Sequence, residues 1–157
     1  MLNTVYLALG SNIGDRQQYL DLAIEKLADY DDIEVLQVSS YINTQAVTQT
    51  VQPDYLNAVL EVRTLLSCRE LLEITQLIEK QLGRKTKGNY DPRTIDIDIL
   101  FFNHEMIAED DLVVPHSMLH ERRFVLEPLV EIAPQWVHPI LNLTISELYQ
   151  SCYEPAC

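Results

Sequence analysis

Thr94-Ile95-Asp96-Ile97-Asp98-Ile99-Leu100-Phe101-Phe102 is the stretch on which the fold turns. Rich in branched and aromatic side chains, and alternating polar with apolar from Ile95 to Ile99, it reads as a strand. Side chains two apart on a strand point the same way, so Ile95, Ile97 and Ile99 share one face while Asp96 and Asp98 share the other. The isoleucine face needs an apolar layer against it. Immediately upstream is a polar, basic loop from Arg84 to Pro92, and before that a helical pattern whose buried stripe is Leu71, Leu72, Ile74, Ile78 and Leu82. Ser67, with Glu70 three residues on, is a capping box for that helix, and Gly83 is its natural stop.

Further out, Tyr55 to Leu65 (YLNAVLEVRTL) alternates as a strand after Gln52-Pro53-Asp54, and Glu34 to Ile42 reads as another, leaving Thr44 to Pro53 as a loop. Thr4 to Leu9 (TVYLAL) is a strand that runs into the turn cluster Gly10-Ser11-Asn12-Ile13-Gly14-Asp15. Asp15, with Gln18 three residues later, caps a helix carrying Leu20, Ala23, Ile24 and Leu27 and ending near Tyr30 to Asp32. The order strand, helix, strand, strand, helix, strand predicts an α+β, ferredoxin-like fold: an antiparallel sheet with helices packed on one face. The C-terminal third adds a short element near Met106 to Val114, a turn at Pro115-His116, a short helix bounded by Pro128 and Pro134, and a last helical stretch from Ser146.

At 157 residues and 47% hydrophobic, the chain suits one compact domain, 1–157, with a core that needs no disulfide. Its apolar runs are far shorter than a bilayer span and its start lacks a basic segment followed by a long apolar one, so a soluble, cytoplasmic protein with no membrane partner is expected. Cys68, Cys152 and Cys157 lack metal-ligand spacing and are expected to be reduced thiols. A net charge of -13 opposes nucleic-acid binding, which needs a broad basic footprint. Yet six of the eleven basic residues, Arg84, Lys85, Lys87, Arg93, Arg122 and Arg123, fall between positions 84 and 123. A local basic site on an acidic body suits one small anion.

Two carboxylates crowded on a sheet repel each other and call for a cation. Magnesium fits, because it takes hard oxygen ligands and often binds through one or two carboxylates plus substrate phosphates. Taken alone, the Asp96/Asp98 pair reads equally well as a solvated face of an edge strand. The adjacent Arg84, Lys85, Lys87 and Arg93 tilt the balance toward a triphosphate site, with Arg93 the best placed. His116, Arg122 and Arg123 form a second cluster suited to phosphate, in which Arg123 has the strongest claim to a plain surface role. Tyr55, Asn57 and Phe124 read as core or strand residues on composition alone. Two rivals stay open: another two-metal enzyme such as a nucleotidyltransferase or nuclease, which would favour a wider basic surface, and a non-catalytic ligand-binding module, which would leave the aspartates and arginines without a purpose.

The chain resembles the 6-hydroxymethyl-7,8-dihydropterin pyrophosphokinase family over nearly its whole length. The resemblance rests on Gly10-Ser11-Asn12, Gln52-Pro53-Asp54-Tyr55-Leu56-Asn57, and Gln76 with Glu79 ahead of Gly83-Arg84. It continues in the highly specific run Pro92-Arg93-Thr94-Ile95-Asp96-Ile97-Asp98-Ile99-Leu100, in Val114-Pro115-His116, and in Arg122 with Phe124 before Pro128-Leu129. It implies transfer of a pyrophosphoryl group from ATP to 6-hydroxymethyl-7,8-dihydropterin, giving the pterin diphosphate and AMP. By the same resemblance Asp96 and Asp98 would bind two Mg2+ ions, and Arg84, Arg93, His116 and Arg122 would handle the triphosphate. Gln76, Glu79, Lys87 and Ile99 would complete the ATP site. Tyr55 and Phe124 would sandwich the pterin, whose edge would be read by Asn57, the Thr44 to Val47 backbone and Asp96. No dedicated general base is implied, so positioning and metal electrostatics would supply most of the catalysis. A monomer is expected, and the loops Thr44 to Pro53 and Arg84 to Pro92, which flank the proposed site, are expected to close over ATP. The chain departs from the family pattern at Thr86, where a second arginine is frequent, at Tyr90-Asp91, where Trp-Gly is common, in a loop about one residue short, and at His120, often a lysine.

Overall fold

The computed structural model describes residues 2–44, 54–83 and 94–152. The elements in chain order are β1 (Asn3–Ser11), α1 (Arg16–Ala28), β2 (Ile33–Val38), β3 (Ile42–Thr44), β4 (Tyr55–Thr64), α2 (Cys68–Gln81) and β5 (Asp96–Phe102). They continue with β6 (Ile107–Glu109), β7 (Leu112–Val114), a 3-10 turn at Leu119–Glu121, α3 (Arg123–Ile132) and α4 (Ile145–Ser151). The main sheet runs β2-β4-β1-β5 with β3 also on β4, every neighbour antiparallel, which is the ferredoxin-like order. Both long helices begin as their sequences dictate. Asp15 accepts the Gln18 N–H at 3.1 Å, and Ser67 and Glu70 close a reciprocal capping box. Gly83, at φ +98°, follows α2 in a conformation that favours glycine.

The sheet is covered on both faces, not one. Val5, Leu7, Leu9, Ile95, Ile97 and Ile99 pack with α1 and α2, whereas Tyr6, Val59, Leu100 and Phe101 pack with α3 and α4. A sheet buried on both sides writes near-continuous apolar strands, and the run Ile99 to Phe102 is one. Within it the period of two breaks. Tyr6 pairs with Phe101 but Leu7 pairs with Ile99, so Leu100 is the extra residue of a β-bulge. The bulge turns Phe101 to the α3/α4 side and leaves Phe102 with α1 and α2.

Two expectations need correcting. The second strand is not continuous from Glu34 to Ile42: β2 stops at Val38 and β3 restarts at Ile42. Between them Ser39 keeps one backbone bond, its N–H donating to the Val59 carbonyl at 2.9 Å, while its hydroxyl accepts the Val59 N–H at 2.9 Å and Glu131 of α3 receives the Ser40 N–H at 3.0 Å, so side chains take over part of the ladder there. Pro128 does not bound the helix in the C-terminal third but lies inside α3, which ends just before Pro134. Its missing N–H costs one helical bond near the helix middle, and the buried Val125, Leu126 and Leu129 hold the turn in register. Cys68 and Cys152 are free, burial pushing the Cys68 thiol up to about 11, where it is inert; Cys157 lies outside the described residues.

His138 ties the α3/α4 layer together. It is 4% exposed, and its Nδ1 accepts the N–H groups of Ile140 and Leu141 at 3.2 and 3.1 Å, edge-on to Phe101. Burial, and then the neighbouring His120, hold its pKa below the ordinary imidazole value. The unfolded chain therefore takes up this proton first as pH falls. The contribution of His138 to stability is complete above an unfolded pKa of about 6.5 and is lost as pH drops toward the folded value. Thermal melts from pH 7.5 to 5.0 are expected to fall more steeply for the natural chain than for His138→Asn, which starts lower; parallel curves would refute the assignment.

Candidate active site

Strand register assembles one compact face. Opposed residues of an antiparallel pair point the same way, and Gly10 of β1 is opposed by Asn57 of β4 on one side and by Asp96 of β5 on the other. Ala8, two residues back, lies between Val59 and Asp98 in the same manner. Two strand spacings put Asn57 and Asp96 about 9.5 Å apart, with only a glycine between them. The result is a shallow floor walled by an amide on one side and by two carboxylates on the other. Glycine keeps this floor open: a Cβ at position 10 would crowd Asn57 Oδ1 at 3.0 Å and touch Tyr55 Cδ1 at 3.5 Å. Asn57 is fixed in turn, its Nδ2 donating to Thr44 Oγ1 at 2.6 Å, and Thr44 is opposed to Tyr55 in the β3/β4 ladder.

The carboxylate wall is anchored from outside the sheet. The buried Glu79 of α2 accepts the Ile97 N–H, between the two aspartates, through Oε2 at 2.8 Å. The carbonyl of the bulged Leu100 accepts the His116 N–H at 3.0 Å, which sets the turn after β7 against β5. His116 Nδ1 receives the Met118 N–H at 3.4 Å, so in the neutral ring Nε2 carries the proton. Arg122 caps α3 and lays its guanidinium over the Phe124 ring, 5.6 Å from the centroid. Phe124 packs with Ala8 against the α3/α4 core, on the side of the sheet that carries Asp96 and Asp98. Arg123 instead points to α4, where its Nη2 donates to the Tyr149 hydroxyl at 3.1 Å.

Thr44, Tyr55, Asn57, Asp96 and Asp98 thus share one face of the sheet, with His116 at its edge and Arg122 and Phe124 on the layer above. Gln76 is exposed on α2, and Ile99 is buried in the α1/α2 core, its side chain on the face away from the carboxylates. Val47, Arg84, Lys85, Lys87 and Arg93, and the two loops expected to close over ATP, lie outside the described residues. Ala8 and Arg16 are contributors that reading the sequence did not single out, and Gly10 was noted there only as part of a turn motif. A small residue between two polar strands was the available signal, and it needs the register to be interpreted.

Among the described residues no three His, Cys, Asp or Glu side chains gather as a metal cage. Two carboxylates with small neighbours suit Mg2+, which takes its remaining ligands from water and substrate phosphates. Glu79→Ala leaves the buried Ile97 N–H without this acceptor. It is expected to cost about 1–3 kcal/mol in urea denaturation, with Glu79→Gln, which keeps an oxygen there, milder; equal stability of Glu79→Ala and the natural chain would refute the anchoring role.

Two carboxylates side by side on one face of a ferredoxin-like sheet are an arrangement suited to metal-assisted phosphoryl transfer. Residues 6–134 match the model of the 7,8-dihydro-6-hydroxymethylpterin-pyrophosphokinase family, and the chain belongs to that family. It is 47% identical over 135 residues to the 2-amino-4-hydroxy-6-hydroxymethyldihydropteridine pyrophosphokinase of Bacillus subtilis, covering 86% of this chain and 81% of that one. The enzyme of the same name from Aquifex aeolicus is 41% identical over 155 residues, covering 98% and 96%. Among solved structures, wild-type Plasmodium falciparum HPPK-DHPS with pteroate matches with a TM-score of 0.74 at 17% identity. That likeness speaks to the fold, and the match covers 96% of this chain but only 42% of the Plasmodium one. The chain is therefore an ATP-dependent pyrophosphokinase of folate biosynthesis, a transferase of the kind that generally needs Mg2+. No described helix is long and apolar enough to cross a membrane.

Proposed function

We propose that the face built on Gly10 is where ATP and 6-hydroxymethyl-7,8-dihydropterin meet, the pterin lying toward Asn57 and the triphosphate toward Asp96 and Asp98. The observation that carries this reading is the row Asn57, Gly10, Asp96 across three strands, which sets an amide and a carboxylate either side of a floor without side chains. Tyr55 and Phe124 offer aromatic faces for the flat ring, which rewards offset stacking. Asn57, the Thr44 to Val47 backbone and Asp96 read its edge. Asp96 and Asp98 would hold two Mg2+ ions with the triphosphate, and ions held there would offset charge on the attacking and leaving oxygens.

Around that centre the chain's own groups bind and orient. His116 donates from Nε2 to a phosphate oxygen, Arg122 clamps the charge that develops as the bond from the β-phosphorus to the AMP oxygen breaks, and Arg84 and Arg93 join them. Gln76, Glu79, Lys87 and Ile99 belong to the nucleotide side, Glu79 chiefly by holding the β5 backbone. The hydroxymethyl oxygen attacks the β-phosphorus, AMP leaves, and the hydroxyl proton passes to solvent or phosphate, since alignment does most of the work. The reading takes 1–157 as a single domain that works as a cytoplasmic monomer on these two small substrates, with no nucleic-acid or membrane partner.

The test is product analysis after incubation with ATP, Mg2+ and 6-hydroxymethyl-7,8-dihydropterin. AMP and the pterin diphosphate are expected in equal amounts, with neither from Asp96→Ala; full activity in that variant would overturn the site.

A further inference from the structure

On the α1/α2 side of the sheet, behind the proposed pterin wall, Arg16 makes contacts that the mechanism does not use. Its Nη1 donates to Asn43 Oδ1 at 2.6 Å and to the Asp54 carbonyl at 2.9 Å, and Asn43 Nδ2 donates to Asp54 Oδ2 at 3.1 Å. The three residues form a closed triangle. Asn43 precedes Thr44 in β3, and Asp54 precedes Tyr55 in β4, while Thr44 and Tyr55 are opposed in the ladder. Alternation along each strand sends Asn43 to the face opposite Thr44. Arg16 is itself well based: it is the first residue of α1, whose opening turn is fixed by the Asp15 cap.

We propose that Arg16 is a positioning residue for the pterin, clamping β3 to the start of β4 from behind so that Thr44, Tyr55 and Asn57 keep one spacing. The inference rests on the reading of those three residues as the pterin wall. Guanidinium suits the task because its planar donors are preorganised to serve two acceptors at once. The Thr44 to Asn57 bond carries the restraint on to the amide beside Gly10. β3 is only three residues long, so its ladder with β4 is a weak restraint by itself and the triangle sets the local geometry. Exposed hydrogen bonds of this kind add little to global stability, so the effect should appear in substrate binding rather than in the melt.

The experiment is steady-state kinetics of the natural chain, Arg16→Ala, Arg16→Lys and Asn57→Ala, varying the pterin and ATP separately and measuring Tm for each. Arg16→Ala is expected to raise KM for the pterin about tenfold, with kcat and KM for ATP each within about threefold, the pattern of lost uniform binding at one substrate. Arg16→Lys, which keeps the charge but not the fixed plane of the two N–H bonds on Nη1, should recover part of the loss, and Tm should hold in both. An unchanged pterin KM in Arg16→Ala, beside a raised one in Asn57→Ala, would overturn the role of Arg16 and leave the wall standing. Joint rises in both KM values with a lower Tm would mark Arg16 as merely structural. An unchanged pterin KM in Asn57→Ala would overturn the wall and this inference with it.

Discussion

Asp98→Asn is expected to lower kcat by about a thousandfold, roughly 4 kcal/mol of transition-state stabilisation, while leaving the fold intact. The change keeps the side chain's shape and removes one anionic oxygen from a wall where the described residues offer no third carboxylate. Asp98 is opposed by Ala8 and is only partly buried, so the near-isosteric substitution opens no cavity. Its cost should appear where metal and triphosphate meet. Two readouts separate that from misfolding: Tm without ligand should stay within a few degrees, and the rise in Tm on adding Mg-ATP should shrink, because the stabilisation a ligand gives grows with the logarithm of its concentration over Kd. Asp98→Asn retaining a tenth or more of kcat would refute the metal assignment.

The carboxylate pair was the most legible part of the site because its geometry is local. Alternation from Ile95 to Ile99 suffices to place Asp96 and Asp98 together, and no knowledge of the partner strand is needed. The helix starts at Asp15 and Ser67 were legible for the same reason, each being a side chain bonded to a backbone group three residues on. What failed to read was non-local. In Ile99-Leu100-Phe101-Phe102 every position is apolar, so the bulge at Leu100, which turns Phe101 over and offers a carbonyl to His116, leaves no trace in the pattern. The break at Ser39 depends on Val59 and Glu131, which arrive from β4 and α3. Gly10 becomes a floor only once β4 and β5 are known to flank β1, and Arg16 becomes a clamp only once Asn43 and Asp54 are brought within reach. Glu79 illustrates both halves: its place ahead of Gly83-Arg84 was noted through the resemblance, and its bond to Ile97 was not foreseen.

Arg122→Ala should lower kcat/KM by about a hundredfold, whereas the neighbouring Arg123→Ala should leave kcat/KM within about threefold of the natural chain. The two arginines are adjacent and alike in sequence, and their surroundings separate them. Arg123 stacks on Tyr149 at 4.9 Å and donates to that hydroxyl, joining α3 to α4, and lies 3.8 Å from Glu127 one turn along α3, so its charge already has partners. Arg122 meets no carboxylate among these contacts; its guanidinium rests on Phe124, which can steady a cation without neutralising it. A cation held on an aromatic face, on the same side of the sheet as Asp96 and Asp98, is placed to meet an anion. Arg122→Lys restores charge but not the planar fork, so it should recover only part of the rate. Arg123→Ala should instead lower Tm by a degree or two through the loosened α3/α4 contact. Should Arg123→Ala lose the activity and Arg122→Ala keep it, the assignment of roles along the start of α3 is reversed, and the phosphate contact has to be sought one residue further along the helix.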